Sequence, residues 1–491
     1  MWGESVYDFL PVALQNAAVS IKGWQFHRSR YLSLSFKETS EELERNEHLS
    51  LDALKELQFW TFRKFAEFCY EKSPYYHNLW DSEGLHPNDI RNPGDVRLVP
   101  IVRKQDLRAR TEEFFTEEIR RGMTAVHTSG TTGSPLTVYF SKEDSGRRYA
   151  FLDRCRRWAG VKIGQRRATF TGRSIISQSQ RKPPFWRSNR PGKQLLFSSY
   201  HLSRPHLSSY VDALAEFQPE IVDGYPSSIH IVADYILRKR NARPIRPRAI
   251  LVSAETVLPH QRLAIETAFG AKLYNQYASS EGAPFVSECK SGRLHVHLDS
   301  GLVEILDDEG NEARPGQVGQ MVVTSFTTHV VPLLRFAIGD NAVPSRDGVS
   351  CDCGLPLPTI EAVVGRVDDV LYTAERGFVG RLDTVFKSVP NSIVEAQIAQ
   401  TAPETIILRV VPDRIRYRPE HADMVVEEMR KRLGQMVEIR VQEVDSIPRS
   451  ANGKMRPVIN LCKEQLPQVL RYSEPQTGSL VASAGESTTQ L

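Results

Sequence analysis

The sequence contains no run of about 18 uninterrupted apolar residues, so a helix that spans a bilayer is not expected. Six cysteines among 491 residues are too few for a disulfide scaffold in a chain this long. No charge of one sign dominates: 63 Lys and Arg stand against 59 Asp and Glu, a formal net charge of +4. That balance carries no overall signature of nucleic-acid binding, and no nucleic-acid partner is expected. The start, MWGESVYDFL, lacks the basic residues and small-residue cleavage site of a secretory leader, with Glu4 and Asp8 where Lys or Arg would stand. Together these absences lead to the expectation of a cytoplasmic protein without stable membrane insertion. Shallow docking of the amphipathic start is the alternative.

What is present is ordinary for a globular protein: 40% hydrophobic and 25% charged residues, in a chain long enough for a large domain plus a smaller one. Leu51, Leu54, Leu57, Phe62, Phe65 and Phe68 recur at helical spacing and predict a buried helix over Ser50–Lys72. Asp106–Arg120 reads as a surface helix. From Ala125 to Val252 short apolar runs (Leu136–Phe140, Ala168–Thr171, Ile221–Val222, Ala249–Val252) alternate with helical stretches at Ser208–Phe217 and Ser228–Arg238, the pattern of an α/β fold. Ser174–Pro191, rich in Ser, Gln, Pro and basic residues, is expected to be an exposed flexible loop. Leu302–Phe336 suggests a β-rich subdomain. Past Asp369 the pattern becomes a compact α+β unit, with strands at Thr405–Val411 and Val437–Val444 around a helix at His421–Leu433. Ser473–Leu491 reads as a disordered tail.

The most distinctive segment is HTSGTTGSP, residues 127–135. Glycines let the backbone approach a ligand, and hydroxyls with backbone N–H groups can solvate phosphate oxygens. No Gly-Lys-Ser/Thr follows, so this is not the lysine-bearing phosphate loop of P-loop NTPases. Four more segments follow in order: Tyr277-Ala278-Ser279-Ser280-Glu281, Leu334–Asp340, Gly365–Asp369 and Pro448–Lys454.

On these five motifs, and on the SPYY-to-LRAR stretch before them, the chain resembles the adenylate-forming (acyl-CoA synthetase) superfamily, in its phenylacetate–CoA ligase and CapK-like branch. The resemblance implies a large N-terminal domain, 1–367, with α/β and β-rich subdomains, a small mobile α+β domain, 368–472, and a tail, 473–491. It implies ATP-dependent activation of a carboxylic acid to an acyl-adenylate with release of pyrophosphate. Acyl transfer follows, most often to coenzyme A; an amine, a sugar or a carrier-protein thiol is the alternative acceptor. A plain nucleotide hydrolase and a zinc-stabilised binding module without activity are the rival readings. The oligomeric state is open, a homodimer included.

The same resemblance implies roles. Thr128, Ser129, Gly130, Thr131, Thr132 and Gly133 would hold the β- and γ-phosphates, although Ser134 stands where many relatives carry lysine. Glu281 would ligate Mg²⁺, since that ion prefers a carboxylate together with phosphate oxygens. Tyr277 would stack on adenine, Ser280 would line the α-phosphate, and Ser253 and Glu255 would border adenine. Asp340 would accept the ribose hydroxyls and Arg366 would contact ribose, with Asp368 or Asp369 as a pivot. Lys454 would stabilise charge on the α-phosphate in the transition state. Tyr200, His201, Tyr225 and Pro226 would border the acyl group, and their aromatic character would favour an aromatic acid. Finally, Cys289, His295, Cys351 and Cys353 form a ligand set suited to structural Zn²⁺, with His297 as competitor to His295. CapK-like relatives show a similar set.

Overall fold

A computed structural model describes residues 4–116, 123–127, 137–172, 175–177, 179–239, 243–254, 257, 259–279, 281–307, 309–317, 319–346, 351–364, 371–379, 382, 385, 392–445, 447 and 458–462. The helices are α1 (Glu4–Asp8), α2 (Val12–Tyr31), α3 (Leu34–Asn46), α4 (Leu51–Lys72), α5 (Pro74–Ser82), α6 (Lys104–Ala109), α7 (Lys142–Trp158), α8 (Leu207–Phe217), α9 (Pro226–Arg238), α10 (Pro259–Phe269) and α11 (Pro419–Leu433). The first strands form a separate hairpin, β1 (Thr124–His127) with β2 (Thr137–Phe140), and the segment 128–136 that joins them lies outside the described residues.

Twelve further strands make one sheet: β3 (Arg167–Thr171), β4 (Trp186–Asn189), β5 (Gln194–Ser198), β6 (Ile221–Gly224), β7 (Ala249–Ser253), β8 (Leu273–Ala278), β9 (Phe285–Glu288), β10 (Leu294–Val296), β11 (Gly301–Leu306), β12 (Gly319–Ser325), β13 (Phe336–Pro344) and β14 (Thr359–Val364). Their order is β11-β12-β13-β14-β10-β9-β8-β7-β6-β3-β5-β4. The expected β-rich part is therefore not a sheet apart. It continues the α/β sheet, and β8 is the seam, parallel to β7 and antiparallel to β9. The C-terminal unit has a hairpin, β15 (Leu371–Thr373) with β16 (Gly377–Val379), and a four-stranded sheet in the order β19-β18-β17-β20. Those strands are β17 (Ile393–Ala402), β18 (Thr405–Pro412), β19 (Glu438–Glu443) and β20 (Val458–Asn460). Val425, Met429 and Leu433 of α11 pack on that sheet.

Local chemistry accounts for several boundaries. Ser50 caps α4 by accepting from Ala53 N at 3.2 Å, and one face of that helix buries Phe62, Phe65 and Cys69. Each fully buried ring of this kind stabilises by about 1.5–3 kcal/mol relative to an exposed one. Two expectations are corrected. The helix expected over Asp106–Arg120 is α6 alone, ending at Ala109. After it the chain tightens into a 3₁₀ turn over Thr111–Phe114 that buries Phe114 face to face with Tyr75, ring centroids 3.8 Å apart. Residues 117–120 lie outside the described residues. The insert Ser174–Pro191, expected to be a flexible loop, contributes edge strand β4. Phe185 is fully buried against His201 and His206, and the buried Arg187 guanidinium donates to Gln15 Oε1 at 2.5 Å and to Pro184 O at 2.9 Å. Polar composition suggested solvent, but here the polar groups are paired internally.

Candidate active site and metal centre

β8 ends at Ala278, and the chain then turns sharply. The Ser279 hydroxyl donates to Ala283 O, and Thr327 Oγ1 donates to Gly282 O at 2.7 Å. Gly282 has φ +92°, and a Cβ there would meet Thr328 Cγ2 at 2.5 Å, so only glycine fits. This turn aims Glu281 inward, where it is 5% exposed. Its Oε1 lies 3.4 Å from Lys104 Nζ at the start of α6. Arg148 of α7 donates to Ser279 O at 3.0 Å, with its guanidinium over the Phe140 ring at 4.1 Å. Burial pulls the Arg148 pKa down, and the nearby Tyr149 and Glu281 oppose that.

Strand β13, in the antiparallel half of the same sheet, supplies Asp340. Tyr277 Oη donates to Asp340 Oδ2 at 2.5 Å, joining two motifs 63 residues apart. A Cβ at Gly339 would lie 3.7 Å from Lys104 Nζ, so Lys104, Glu281, Tyr277 and Asp340 converge beside the seam of the sheet. Arg335, part of the same motif, has another job: it grips Glu304 at 2.7 and 2.9 Å and Val99 O at 2.6 Å. Lys104 and Arg148 were missed in the sequence reading. Lys104 sits inside the SPYY-to-LRAR stretch, where nothing around it distinguishes it from a surface lysine.

Tyr225 and Ser253, expected to border the acyl group and adenine, lie at the ends of β6 and β7. Gly224 has φ +142°, and a Cβ there would approach Phe170 O to 2.2 Å, which lets the chain turn to present Tyr225. Tyr225, Tyr200 and Ser253 all border one cavity of about 1230 Å³. Tyr200 Oη donates to Gly172 O at 2.6 Å and accepts from Arg432 of the C-terminal unit at 2.9 Å, while Arg376 donates to Tyr200 O at 3.1 Å. His201 does not border this cavity. It turns into the core, stacked on Phe185 at 5.0 Å and bonded to Ser198 Oγ at 2.8 Å. Burial there, together with the Arg376 charge, pulls its pKa down to about 4, so it is a neutral packing residue. Pro226 is the first residue of α9 and is also absent from the cavity wall. Thr128–Gly133, Glu255, Ser280, Arg366, Asp368, Asp369 and Lys454 lie outside the described residues.

A second cluster lies in the antiparallel half. The β9–β10 turn places Cys289, with Gly292 at φ +81° closing it through Gly292 N to Cys289 O at 3.0 Å. The turn before β14 places Cys351 and Cys353, closed by Gly354 N to Cys351 O at 3.1 Å. Pairing of His295 with Thr359 brings the two turns together. The ligand atoms of Cys289, His295, Cys351 and Cys353 all lie within 4.8 Å of one another. Cys289 Sγ is 3.7 Å from Cys351 Sγ, and Cys353 Sγ is 3.3 Å from His295 Nε2. A tetrahedron with Zn–S bonds of about 2.3 Å needs thiolates roughly 3.8 Å apart, so the donor set fits that ion. His295 Nδ1–H donates to Leu357 O at 2.8 Å, which leaves the Nε2 lone pair toward the thiols. Backbone N–H groups of Ser291 and Leu355 point at Cys289 Sγ (3.3 Å) and Cys353 Sγ (3.4 Å). Burial and the two neighbouring thiols push Cys353 up to about 12, a crowding that a divalent cation relieves. His297 is instead packed against Trp158 at 4.9 Å and stands outside the set.

Comparison with known proteins adds the following. Residues 371–461 match the family described as the CapK C-terminal domain. Protein CapK of Staphylococcus aureus is 32% identical over 466 residues, 93% of this chain and 99% of that protein. The phenylacetate-coenzyme A ligase of Thermus thermophilus is 25% identical over 450 residues, 85% of this chain and 98% of that protein. Among solved structures, a 2-hydroxyisobutyryl-CoA ligase in complex with 2-HIB-AMP and CoA superimposes with TM-score 0.56 at 19% identity, covering 85% of this chain and 91% of that chain. The last is a likeness of fold.

Proposed function

Because this chain belongs to the CapK family of adenylate-forming proteins, we propose that it activates a carboxylic acid with ATP and then transfers the acyl group to coenzyme A. In the first step a carboxylate oxygen of the acid attacks the α-phosphorus. The α–β phosphoanhydride bond breaks, and pyrophosphate leaves with the electron pair. In the second step the coenzyme A thiolate attacks the acyl carbon, and AMP leaves. The observation that carries this reading is the convergence of Tyr277, Asp340, Glu281 and Lys104 beside the seam of the sheet.

Each residue has a task within it. Asp340 accepts from the ribose hydroxyls, and the hydrogen bond from Tyr277 holds its carboxylate in place. Tyr277 also offers its ring to adenine. Thr128–Gly133 hold the β- and γ-phosphates, and Lys104, beside Glu281, supplies a cation that Ser134 does not. Glu281, whose carboxylate also meets Lys104, would hold Mg²⁺, and the ion would neutralise phosphate charge. Lys454 acts at the α-phosphate in the transition state. The division is residues 1–367 for ATP and acid, and 368–472 for the small domain, with Arg366 on ribose and Asp368 or Asp369 as pivot. Cys289, His295, Cys351 and Cys353 hold a structural Zn²⁺. The setting is the cytoplasm.

Product analysis on Lys454→Ala tests the reading. Adenylate formation should fall by roughly 100-fold or more, as for removal of one charged transition-state contact, while thioester formation from a supplied acyl-adenylate changes far less. Equal loss in both steps, or none in the first, contradicts it.

A further inference from the structure

Strands β3, β5, β6, β7 and β8 run parallel, and a parallel sheet covered on both sides is ordinarily apolar on both. One face obeys this: Ala168, Phe170, Phe197, Val222, Ile250 and Leu273 join the core beneath α8–α10. The other face, toward α2 and α7, carries Arg167, Thr169, Gln194, Asp223 and Gln276 interspersed with Leu196, Ile221 and Leu251. These groups are wired together. Arg167 Nη1 lies 3.5 Å from Asp223 Oδ2, Thr169 donates to Asp223, and the Gln194 amide bonds Thr169 Oγ1 at 2.6 Å. Sealing such a row under apolar helices would cost about 1–3 kcal/mol for each polar group left unsatisfied. The fold leaves the 1230 Å³ cavity over it instead.

The cavity starts at Tyr225 and Ser253, the acyl end of the site, and runs the length of β3. That is about 13 Å at 3.3 Å per residue, much longer than a phenyl ring needs. Among the described residues, seven Lys and Arg side chains face it against four Asp and Glu. Two of the cations are held rigidly. Arg156, 14% exposed, donates to Tyr31 Oη at 3.0 Å and lies 3.8 Å from Asp153. Arg30 lies over the rings of Phe26 and Tyr149 at 4.3 and 4.4 Å. Guanidinium groups fixed in this way suit carboxylate and phosphate oxygens. An aryl or alkyl acid would instead leave the polar row facing hydrocarbon, and sites built for polar contacts reject such analogues strongly.

Resting on the adenylation reading above, we propose that the acid is polar and carries a second negative charge, a carboxylate or a phosphate, which Arg156 and Arg167 read at the far end of the cavity. This departs from the aromatic acid that Tyr200 and Tyr225 suggested in the sequence.

The test is kcat/KM for acid-dependent pyrophosphate exchange on the full chain with phenylacetate, hexanoate, gluconate, adipate and 3-phosphoglycerate. Adipate or 3-phosphoglycerate should exceed phenylacetate and hexanoate by roughly tenfold or more, and the better of the two identifies the second group. In Arg167→Gln and Arg156→Gln, the ratio of the best dianion to hexanoate should fall by roughly tenfold or more, the worth of one charge-assisted hydrogen bond. Both acids are measured on one preparation, so loss of folded protein cancels in the ratio; if a variant does not fold, the wild-type ranking decides. Phenylacetate, hexanoate or gluconate ranking first overturns the proposal and leaves the adenylation reading intact. An unchanged ratio in both variants, or variants that raise only the KM for coenzyme A, also overturns it. Exchange with no acid removes the reading on which it rests, and the proposal with it.

Discussion

Tyr277 Oη donates to Asp340 Oδ2 across 2.5 Å, so the residue expected to stack on adenine also positions the residue expected to hold ribose. Tyr277 comes from the seam strand β8 and Asp340 from β13 in the antiparallel half, and the bond ties the two motifs together. Asp340→Ala removes a charged acceptor; the KM for ATP should rise roughly 10- to 100-fold, as for a hydrogen bond to a charged group. Tyr277→Phe keeps the ring and loses only the bond, and should raise it a few-fold. Steady-state kinetics with ATP varied distinguishes the two. Equal effects would mean that the tyrosine hydroxyl, not its ring, is what matters.

Lys104 touches Glu281 at 3.4 Å in an environment where both are largely shielded from water. Lys104→Ala should therefore weaken ATP turnover by roughly tenfold or more and shift the Mg²⁺ dependence, since Glu281 would no longer share its carboxylate. Titration of activity against Mg²⁺ in the variant checks this.

The thiol–imidazole cluster predicts one zinc per folded chain by elemental analysis. Cys353→Ser or His295→Ala should lose most of the metal and lower the unfolding temperature, whereas His297→Phe should keep it. Near-zero metal in a folded preparation contradicts the Zn²⁺ assignment.

Arg154 and Asp299 form a buried bidentate pair, with Nη1 to Oδ1 at 2.9 Å and Nη2 to Oδ2 at 2.8 Å. Burial pushes the Asp299 carboxyl up, but Arg154 outweighs it and holds the pKa below the ordinary value. A depressed folded-state pKa means that this stabilisation is complete above the unfolded value of about 3.9 and is lost as pH falls through the folded one. Stability of the wild type should therefore drop below about pH 4. Asp299→Asn should cost roughly 3–5 kcal/mol near neutrality, because it strands a buried guanidinium, and should flatten the acid-side slope. Denaturant unfolding at pH 3 and pH 6 reads both effects.

The legible parts of the sequence were those in which local pattern and chemistry agree. The α4 helix was readable because its apolar spacing and the Ser50 cap point the same way. The Cys289–His295–Cys351–Cys353 cluster was readable because thiols and imidazoles name their own chemistry. Harder were residues whose role is set by a distant partner. Lys104 looks like any surface lysine until the fold brings Glu281, 177 positions later, to its ammonium. The choice between His295 and His297 depended on whether each ring meets thiols or Trp158. The Ser174–Pro191 insert misled because Arg187 satisfies itself inside the protein. His201 misled because an imidazole can serve as an aromatic packing disc.

Acid-dependent exchange of labelled pyrophosphate into ATP tests the central claim most directly. The account predicts exchange that requires both an acid and Mg²⁺, with AMP as the nucleotide product once an acceptor is added. Release of ADP and phosphate without any acid, or no exchange with any acid of a broad panel, would contradict it.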